Sequence, residues 1–149
     1  MYVLPIDKFS VVNDNSLSTK YSILYLGGMI LKIVVGGQMD KQILANLITK
    51  YGCGRVEVSI KSDIEAALAI QTNQAQYYFG ACATGAGGAL AMAIGLVGPQ
   101  HCVSISIPGK IMQEEEIRTA VRNGKKCFGF VNYDADKVIP VVLDEILKK

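Results

Sequence analysis

A cysteine where an apolar run meets a glycine-rich turn is the residue of this chain best suited to chemistry. The run from Tyr77 to Cys82 is typical of a buried strand, and Ala-Thr-Gly-Ala-Gly-Gly follows before an apolar helix that starts near Ala89. A helix N-terminus presents backbone N–H groups without intrahelical partners, which favours bound anions and favours a thiolate over a thiol. Residues 82–88, here called the Cys82 loop, are therefore predicted to hold a reactive thiol, an anion, or both.

The Cys82 loop suggests separate roles for its residues. Cys82 would transfer a proton if its pKa falls towards neutrality, and loop amides would stabilise a ligand oxygen or an enediolate. The alternative is a packing motif, in which the glycines only let the helix approach the sheet and the cysteine fills a small space. The ligand-binding residues predicted in this loop are Thr84, Gly85, Ala86, Gly87 and Gly88.

Two common nucleotide-binding loops do not fit this segment. A dinucleotide-binding turn needs a third glycine, a position after the first strand and an acidic residue about 20 positions further on, and the chain has none of these there. No Gly-Lys-Ser/Thr follows the glycines, which excludes a Walker A loop. We therefore predict no nucleotide and no other cofactor.

Strands and helices alternate from residue 31 onward. Apolar runs predict strands over 31–35, 55–60, 76–82, 102–107 and 126–131, the second of them exposed or at an edge. Helical spacing predicts helices over 43–51, 63–71, 89–97, 114–122 and 136–148. This alternation implies right-handed crossovers, and we predict a three-layer, Rossmann-like α/β domain with a mainly parallel sheet of about five strands.

The predicted fold places further residues beside the Cys82 loop. Ligands of such folds bind at the C-terminal ends of strands, near the point where strand order reverses. The first strand is closed by Gly36 and Gly37, so these two glycines, Gln38 and Asp40 join the predicted ligand-binding residues. The alternative for Asp40 is that it stabilises the dipole of the helix that follows.

Helix ends carry recognisable local signals. Ser62 and Glu65 have the spacing of a capping box. Asp134 and Asp136 are predicted to cap the last helix, and Pro140 predicts that this helix begins late or is kinked.

Composition excludes several classes of protein. The formal net charge is +2 with scattered lysines and arginines, which excludes the basic face of a nucleic-acid binder. A single histidine and cysteines without C-x-x-C spacing exclude a multi-histidine metal site and a disulfide scaffold. Cys53, Cys102 and Cys127 are expected as small buried hydrophobes. No run is long enough to span a membrane and no signal peptide precedes it, so we expect a cytoplasmic protein without membrane contact.

Residues 1–28 fit the α/β pattern poorly. They show no helical period, and the strand pattern is complete without them. We interpret them as an N-terminal extension or a non-native start, with residues 29–149 forming a single α/β domain. An added edge strand over 21–26 is the alternative.

The apolar helix after the Cys82 loop is hydrophobic nearly all round, which predicts burial in the core or at a subunit interface. We therefore expect a homo-oligomer, most simply a dimer.

From residue 29 onward the chain resembles the YhfU-type family of uncharacterised bacterial proteins. The resemblance rests on the first strand with its glycine, on the block Tyr-Tyr-x-Gly-Ala-Cys-x-Thr-Gly-Ala-Gly at 77–87, and on Pro108-Gly109. This resemblance implies no particular activity.

The Cys82 loop also resembles, more distantly, the Cys-Gly-Thr-Gly-x-Gly segment of type B ribose-5-phosphate isomerases and their galactose-6-phosphate relatives. That resemblance implies a Rossmann-like fold, Cys82 as the base, and Thr84, Gly85 and Gly87 as the anion hole. The chain departs from that family after the first strand, where an Asp-His pair is missing, and its His101 precedes the fourth strand at the opposite edge.

Three functions follow from these observations. The leading one is binding of a small anionic, sugar-phosphate-like metabolite, with isomerisation as its enzymatic form. The second is a non-catalytic binding or regulatory subunit. The third is a phosphocarrier like the sugar phosphotransferase IIB components, whose cysteine follows the first strand rather than the third.

Overall fold

Strands and helices alternate in the computed structural model, which describes residues 30–85 and 87–148. The strands are β1 (Leu31–Gly37), β2 (Val56–Ile60), β3 (Tyr77–Cys82), β4 (Cys102–Ser104), β5 (Ser106–Ile107), β6 (Lys110–Ile111) and β7 (Cys127–Val131). The helices are α1 (Lys41–Gly52), α2 (Asp63–Gln71), α3 (Gly87–Val97), α4 (Glu114–Arg122) and α5 (Ala135–Leu147). The expected extension or edge strand within residues 1–28 lies outside the described residues.

Five parallel strands form the central sheet in the order β2-β1-β3-β7-β4. Helices α1, α4 and α5 pack together over one face, and α2 packs with α3 over the other. This confirms the predicted three-layer α/β fold, and β2 lies at an edge as its alternating sequence indicated. We call the edge formed by the C-terminal ends of these strands the carboxyl edge, and the opposite one the amino edge.

A row of three glycines lies across the middle of the sheet. Gly36, Gly80 and Gly129 are paired in register on β1, β3 and β7. A Cβ atom at Gly80 would lie 2.9 Å from the carbonyl oxygen of Ala89, and one at Gly129 would lie 2.6 Å from Cγ of Leu90. The row therefore lets the first turns of α3 approach the sheet more closely than side chains would allow.

The predicted fourth strand is shorter than expected. β4 ends at Ser104, and residues from Ser106 onward leave the central sheet to form an antiparallel hairpin of β5 and β6. Pro108 and Gly109 make its two-residue turn, where Gly109 has a φ of 81°. This conformation suits glycine after proline in a tight turn. Ser106 fixes the hairpin to β7, because its hydroxyl accepts a hydrogen bond of 2.8 Å from the amide of Val131.

One expectation about burial was wrong, because Cys53 is exposed. Helix α3 buries Ala89, Leu90 and Ala93 in the core and exposes its opposite side, including Met92 and Ile94. The core therefore covers one side of this helix, and burial of the other side at a subunit interface stays a prediction.

The expectations about helix ends were partly confirmed. The capping box of Ser62 and Glu65 is present. Helix α5 begins at Ala135, so the late start was wrong and Pro140 lies inside the helix. Asp134 occupies the N-cap position of α5 without making a side-chain cap bond, and Asp136 lies in the first turn.

We predict opposite effects of adding a methyl group at two glycines. Gly80→Ala forces a Cβ against the backbone of α3, and such overpacking should lower the free energy of unfolding by about 1–3 kcal/mol. Gly95→Ala is the matched control, because nothing lies within 4 Å of a Cβ there. Alanine in a helix interior should raise stability by about 0.5–1 kcal/mol. Urea unfolding measures both, and an unchanged midpoint for Gly80→Ala would contradict the close approach.

Candidate functional site

The carboxyl edge brings together the two strand ends that the sequence indicates. β1 and β3 are neighbours, with Gly37 paired to Ala81. The strand that follows β1 in sequence lies on one side of it and β3 lies on the other, so strand order reverses between β1 and β3. Ligands of doubly wound folds bind outside such a point.

Cys82 is the last residue of β3, and its sulfur is bonded within the loop that follows. The amide of Gly85 donates to Sγ at 3.1 Å, and Oγ1 of Thr84 lies 3.4 Å from the sulfur. Burial of this side chain alone would raise the pKa of the thiol. Hydrogen bonds from the hydroxyl and amide of Thr84 and from the amides of Gly85 and Ala89 outweigh that effect and hold the pKa below its usual value.

Gly85 holds the Cys82 loop against the neighbouring strands. Its φ is 81°, and a Cβ atom would collide with the carbonyl oxygen of Ser106. Its carbonyl oxygen accepts a hydrogen bond of 2.8 Å from the hydroxyl of Ser104. Because its amide already donates to Cys82, Gly85 does not offer that amide to a ligand in this arrangement.

Other predicted ligand-binding residues form the exposed rim of the loop. Thr84 and Gly87 are exposed, and Gly88 is half-buried beneath the side chain of Gln38. A Cβ atom at Gly88 would lie 2.9 Å from Oε1 of Gln38. The first-turn amides of α3 lack intrahelical acceptors, so this rim offers N–H groups beside a hydroxyl. Ala86 lies outside the described residues.

The glycines that close β1 contact their neighbours rather than open space. A Cβ atom at Gly36 would lie 2.8 Å from the hydroxyl of Tyr78, and one at Gly37 would lie 2.7 Å from the amide nitrogen of Ala81. Both glycines are buried. They therefore pack the end of β1 closely against β3 and offer no open surface to a ligand.

Asp40 lies at the carboxyl edge but does not cap its helix. It has a φ of 54° and occupies the N-cap position of α1 without a side-chain cap bond. Its Oδ2 instead accepts a hydrogen bond of 3.1 Å from Nδ2 of Asn132, the residue that follows β7. The pair thus joins the ends of β1 and β7, with β3 between them.

Sequence reasoning missed two polar residues at this edge. Asn132 reaches Asp40 only because β1, β3 and β7 are adjacent, and 92 positions separate the two residues in the chain. Tyr78 is fully buried, and its hydroxyl donates to the carbonyl of Ala89 in the first turn of α3. Burial raises the pKa of Tyr78, so the phenol stays protonated and keeps this bond. The sequence signal for the role of Tyr78 was the presence of its polar hydroxyl in an otherwise apolar strand.

The described residues contain no group of three histidine, cysteine, aspartate or glutamate side chains arranged to hold a metal ion. His101 lies in the 3₁₀ turn before β4, at the amino edge and away from Cys82. In residues 30–85 and 87–148, no helix has the length and apolar character needed to cross a bilayer.

Fold and site together define a doubly wound α/β protein with a bonded thiol beside the point where strand order reverses. Residues 31–146 match the family described as "Protein of unknown function DUF2620", and the chain belongs to that family. Proteins named "Uncharacterized protein YhfU" from Escherichia coli K12, Escherichia coli O6:H1 and Shigella flexneri are each 36% identical to it over 116 residues. The match covers 77% of this chain and 97% of each relative. The YhfU-type resemblance is thereby confirmed.

No such match supports the resemblance to sugar-phosphate isomerases. No solved structure matches the chain.

The lowered pKa of Cys82 predicts a pH-dependent contribution to stability. A thiol whose folded pKa lies below its unfolded value stabilises the fold fully above the unfolded value, about 8.5, and loses that effect as the pH falls through the folded pKa. The melting temperature of the wild type should therefore rise relative to Cys82→Ser as the pH approaches about 9. Differential scanning fluorimetry across this range measures the difference.

Removing a donor tests the cause of this effect. Thr84→Val deletes the hydroxyl beside the sulfur and should reduce the pH-dependent difference. Thr72→Val is the matched control, because its hydroxyl donates to the carbonyl of Leu68 in α2. A difference between wild type and Cys82→Ser that stays constant with pH would contradict the lowered pKa.

Proposed function

We propose that this protein binds a small anionic metabolite of the sugar-phosphate class at the carboxyl edge, over the Cys82 loop. The observation that carries the proposal is the environment of Cys82, whose sulfur receives an amide N–H beside the first turn of the 11-residue helix α3. An environment that stabilises a thiolate is also favourable to the oxygens of an anion.

The bonds already made in the loop suggest how the ligand is held. Gly85 donates to Cys82, so ligand oxygens would be bound by the amides of Gly87 and Gly88, and by the hydroxyl of Thr84 once its proton turns from the sulfur to the ligand. The partial positive charge at the start of α3 adds to this attraction. The side-chain amide of Gln38, which lies over Gly88, supplies a further donor or acceptor for the sugar part.

Proton transfer by Cys82 is the enzymatic form of this proposal. A thiolate would remove a proton from the carbon next to a substrate carbonyl and return it to the carbonyl carbon, while the hydroxyl proton passes between the two substrate oxygens, which interconverts an aldose and a ketose. Thr84 and the loop amides would stabilise the enediolate oxygen formed between the two steps. The lowered pKa of Cys82 favours this role.

The alternative is a binding or regulatory subunit without turnover. Its support is that Asp40, the one acidic residue among the predicted ligand-binding residues, is already bonded to Asn132. We do not propose the phosphocarrier function, because Cys82 ends β3 and β1 is closed by glycines. Self-association and a cytoplasmic location stay predictions.

Ligand binding is tested by a thermal-shift panel of sugar phosphates, with ribose 5-phosphate as the first probe. A ligand at about 100 times its Kd should add roughly 2.7 kcal/mol of stability. Thr84→Val should weaken binding about tenfold or more, because it removes a hydrogen bond to a charged group. Thr72→Val should leave binding unchanged. Absence of any shift across the panel would argue against this function.

Turnover is tested by following deuterium uptake from D₂O into bound sugar phosphates by NMR. Proton transfer predicts uptake at the carbon next to the carbonyl, and loss of that uptake in Cys82→Ser with binding retained. Uptake that persists in Cys82→Ser would exclude the thiol as base. Binding without uptake in the wild type would favour the non-catalytic alternative.

A further inference from the structure

Asp134 is a buried carboxylate without a bonding partner. Its residue is 3% exposed, although it lies at the end of the 3₁₀ turn between β7 and α5. It makes no cap bond to α5, and its carboxylate has no hydrogen bond or ion pair with residues 30–85 or 87–148. A polar side chain in the protein interior usually has a hydrogen-bond partner, so the lack of one at Asp134 is not explained by the fold alone.

Asp134 lines a cavity. Among the described residues, Oδ1 of Asp63 is the one sealed side-chain oxygen or nitrogen without a partner, so the unbonded oxygens of Asp134 are not sealed. The cavity has a volume of about 340 Å³ and lies between the β5–β6 hairpin and the first turn of α5; it is here called the Asp134 cavity. Its lining consists of Gly109, Lys110, Ile111, Tyr133, Asp134 and Lys137.

Two cations share the Asp134 cavity. Lys110 comes from the hairpin and Lys137 from α5, and neither forms an ion pair within residues 30–85 and 87–148. Two lysines and one aspartate in the lining give the cavity a net positive charge, which disfavours a metal ion or an amine as the ligand. They favour a molecule that carries an anionic group for the lysines and hydroxyl donors for the aspartate.

The walls of this cavity are fixed by the fold. Ser106 bonds the hairpin to Val131, which precedes the turn that carries Asp134. The cavity also lies at the carboxyl end of β7, on the edge where ligands of doubly wound folds bind. Its volume lies within the lower range of small-molecule sites, about 300–1,000 Å³.

We propose that the Asp134 cavity binds a small polyhydroxylated anion, a sugar phosphate or a sugar acid. Asp134 accepts hydrogen bonds from its hydroxyl groups, and Lys110 and Lys137 bind its phosphate or carboxylate. The site shares no residue with the Cys82 loop and does not rest on the function proposed there.

Binding is tested by isothermal titration with ribose 5-phosphate, gluconate, ribose and inorganic phosphate. Ribose 5-phosphate and gluconate should both bind more tightly than ribose or inorganic phosphate. Whichever of the two binds more tightly shows whether the cavity prefers a phosphate or a carboxylate. Asp134→Asn should weaken their binding about tenfold, whereas Asp136→Asn, an exposed acid of the same helix, should not. The double variant Lys110→Ala/Lys137→Ala should also weaken it. A double variant at the amino edge, Lys50→Ala/Lys125→Ala, controls for net charge.

A second measurement separates ligand binding from a structural role of Asp134. Replacing a carboxylate that makes no bond to the fold with its amide should not lower the melting temperature of the free protein, whereas removing a helix cap should lower it. A lowered melting temperature in Asp134→Asn, or unchanged binding in both the aspartate and the lysine variants, would overturn the proposal. Weakened binding in Thr84→Val alone would support only the Cys82 loop, and weakened binding in Asp134→Asn alone would support only the Asp134 cavity.

Discussion

The close approach of α3 to the sheet is the constraint on which the candidate site depends. Gly80 and Gly129 place no side chain of their own between their strands and the start of this helix, and Gly36 and Gly80 leave room for the ring of Tyr78. Tyr78 donates to the carbonyl of Ala89 and fixes the height of the first turn. Only at that height does Cys82, at the end of β3, lie within reach of the amides that follow it. The acidity of the thiol is therefore a consequence of packing earlier on its own strand and on the two neighbouring strands.

The hydrogen-bond donors of the Cys82 loop are shared between the sulfur of Cys82 and a bound anion. The amide of Gly85 stabilises the sulfur, and its carbonyl is bonded by Ser104, so neither backbone group is free for a ligand. What remains for an anion is the exposed rim at Thr84 and the first turn of α3. A thiolate and an anion placed together would repel each other. The loop therefore favours a ligand whose charged group lies over the rim and whose neutral carbon atoms face the sulfur.

Structural features that depend on only a few neighbouring residues could be predicted from the sequence. The capping box at Ser62 and the edge position of β2 follow from short patterns that tertiary contacts did not override. Residue type alone was a poorer guide to the burial of Cys53. This residue is the C-cap that follows α1, its φ is 53°, and the geometry of the helix end leaves it exposed. The alternating residues after β4 also suited a longer strand, but the turn at Pro108 and Gly109 folds them into a hairpin.

The acids before helices could not be assigned from local pattern, because their partners lie far away in sequence. Asp40 and Asp134 both occupy N-cap positions, and neither caps its helix. Asp40 is bonded to Asn132, which only the strand order brings close, and Asp134 lines a cavity whose other wall is the hairpin that the sequence did not reveal. An acid that precedes a helix predicts a cap only when no tertiary partner or cavity competes for it.

The hairpin links the two candidate sites physically. On one side its Ser106 carbonyl lies against Gly85, the residue that bonds Cys82, and its hydroxyl is bonded to β7. On the other side Lys110 lines the Asp134 cavity. A ligand that displaced the hairpin would therefore disturb the packing that holds Gly85, and with it the amide that stabilises the thiolate. If the hairpin stays fixed by Ser106, the two sites remain independent. The bond between Ser106 and Val131, together with the bond from the amide of Ile105 to the carbonyl of Gly129, therefore decides whether the two sites are coupled.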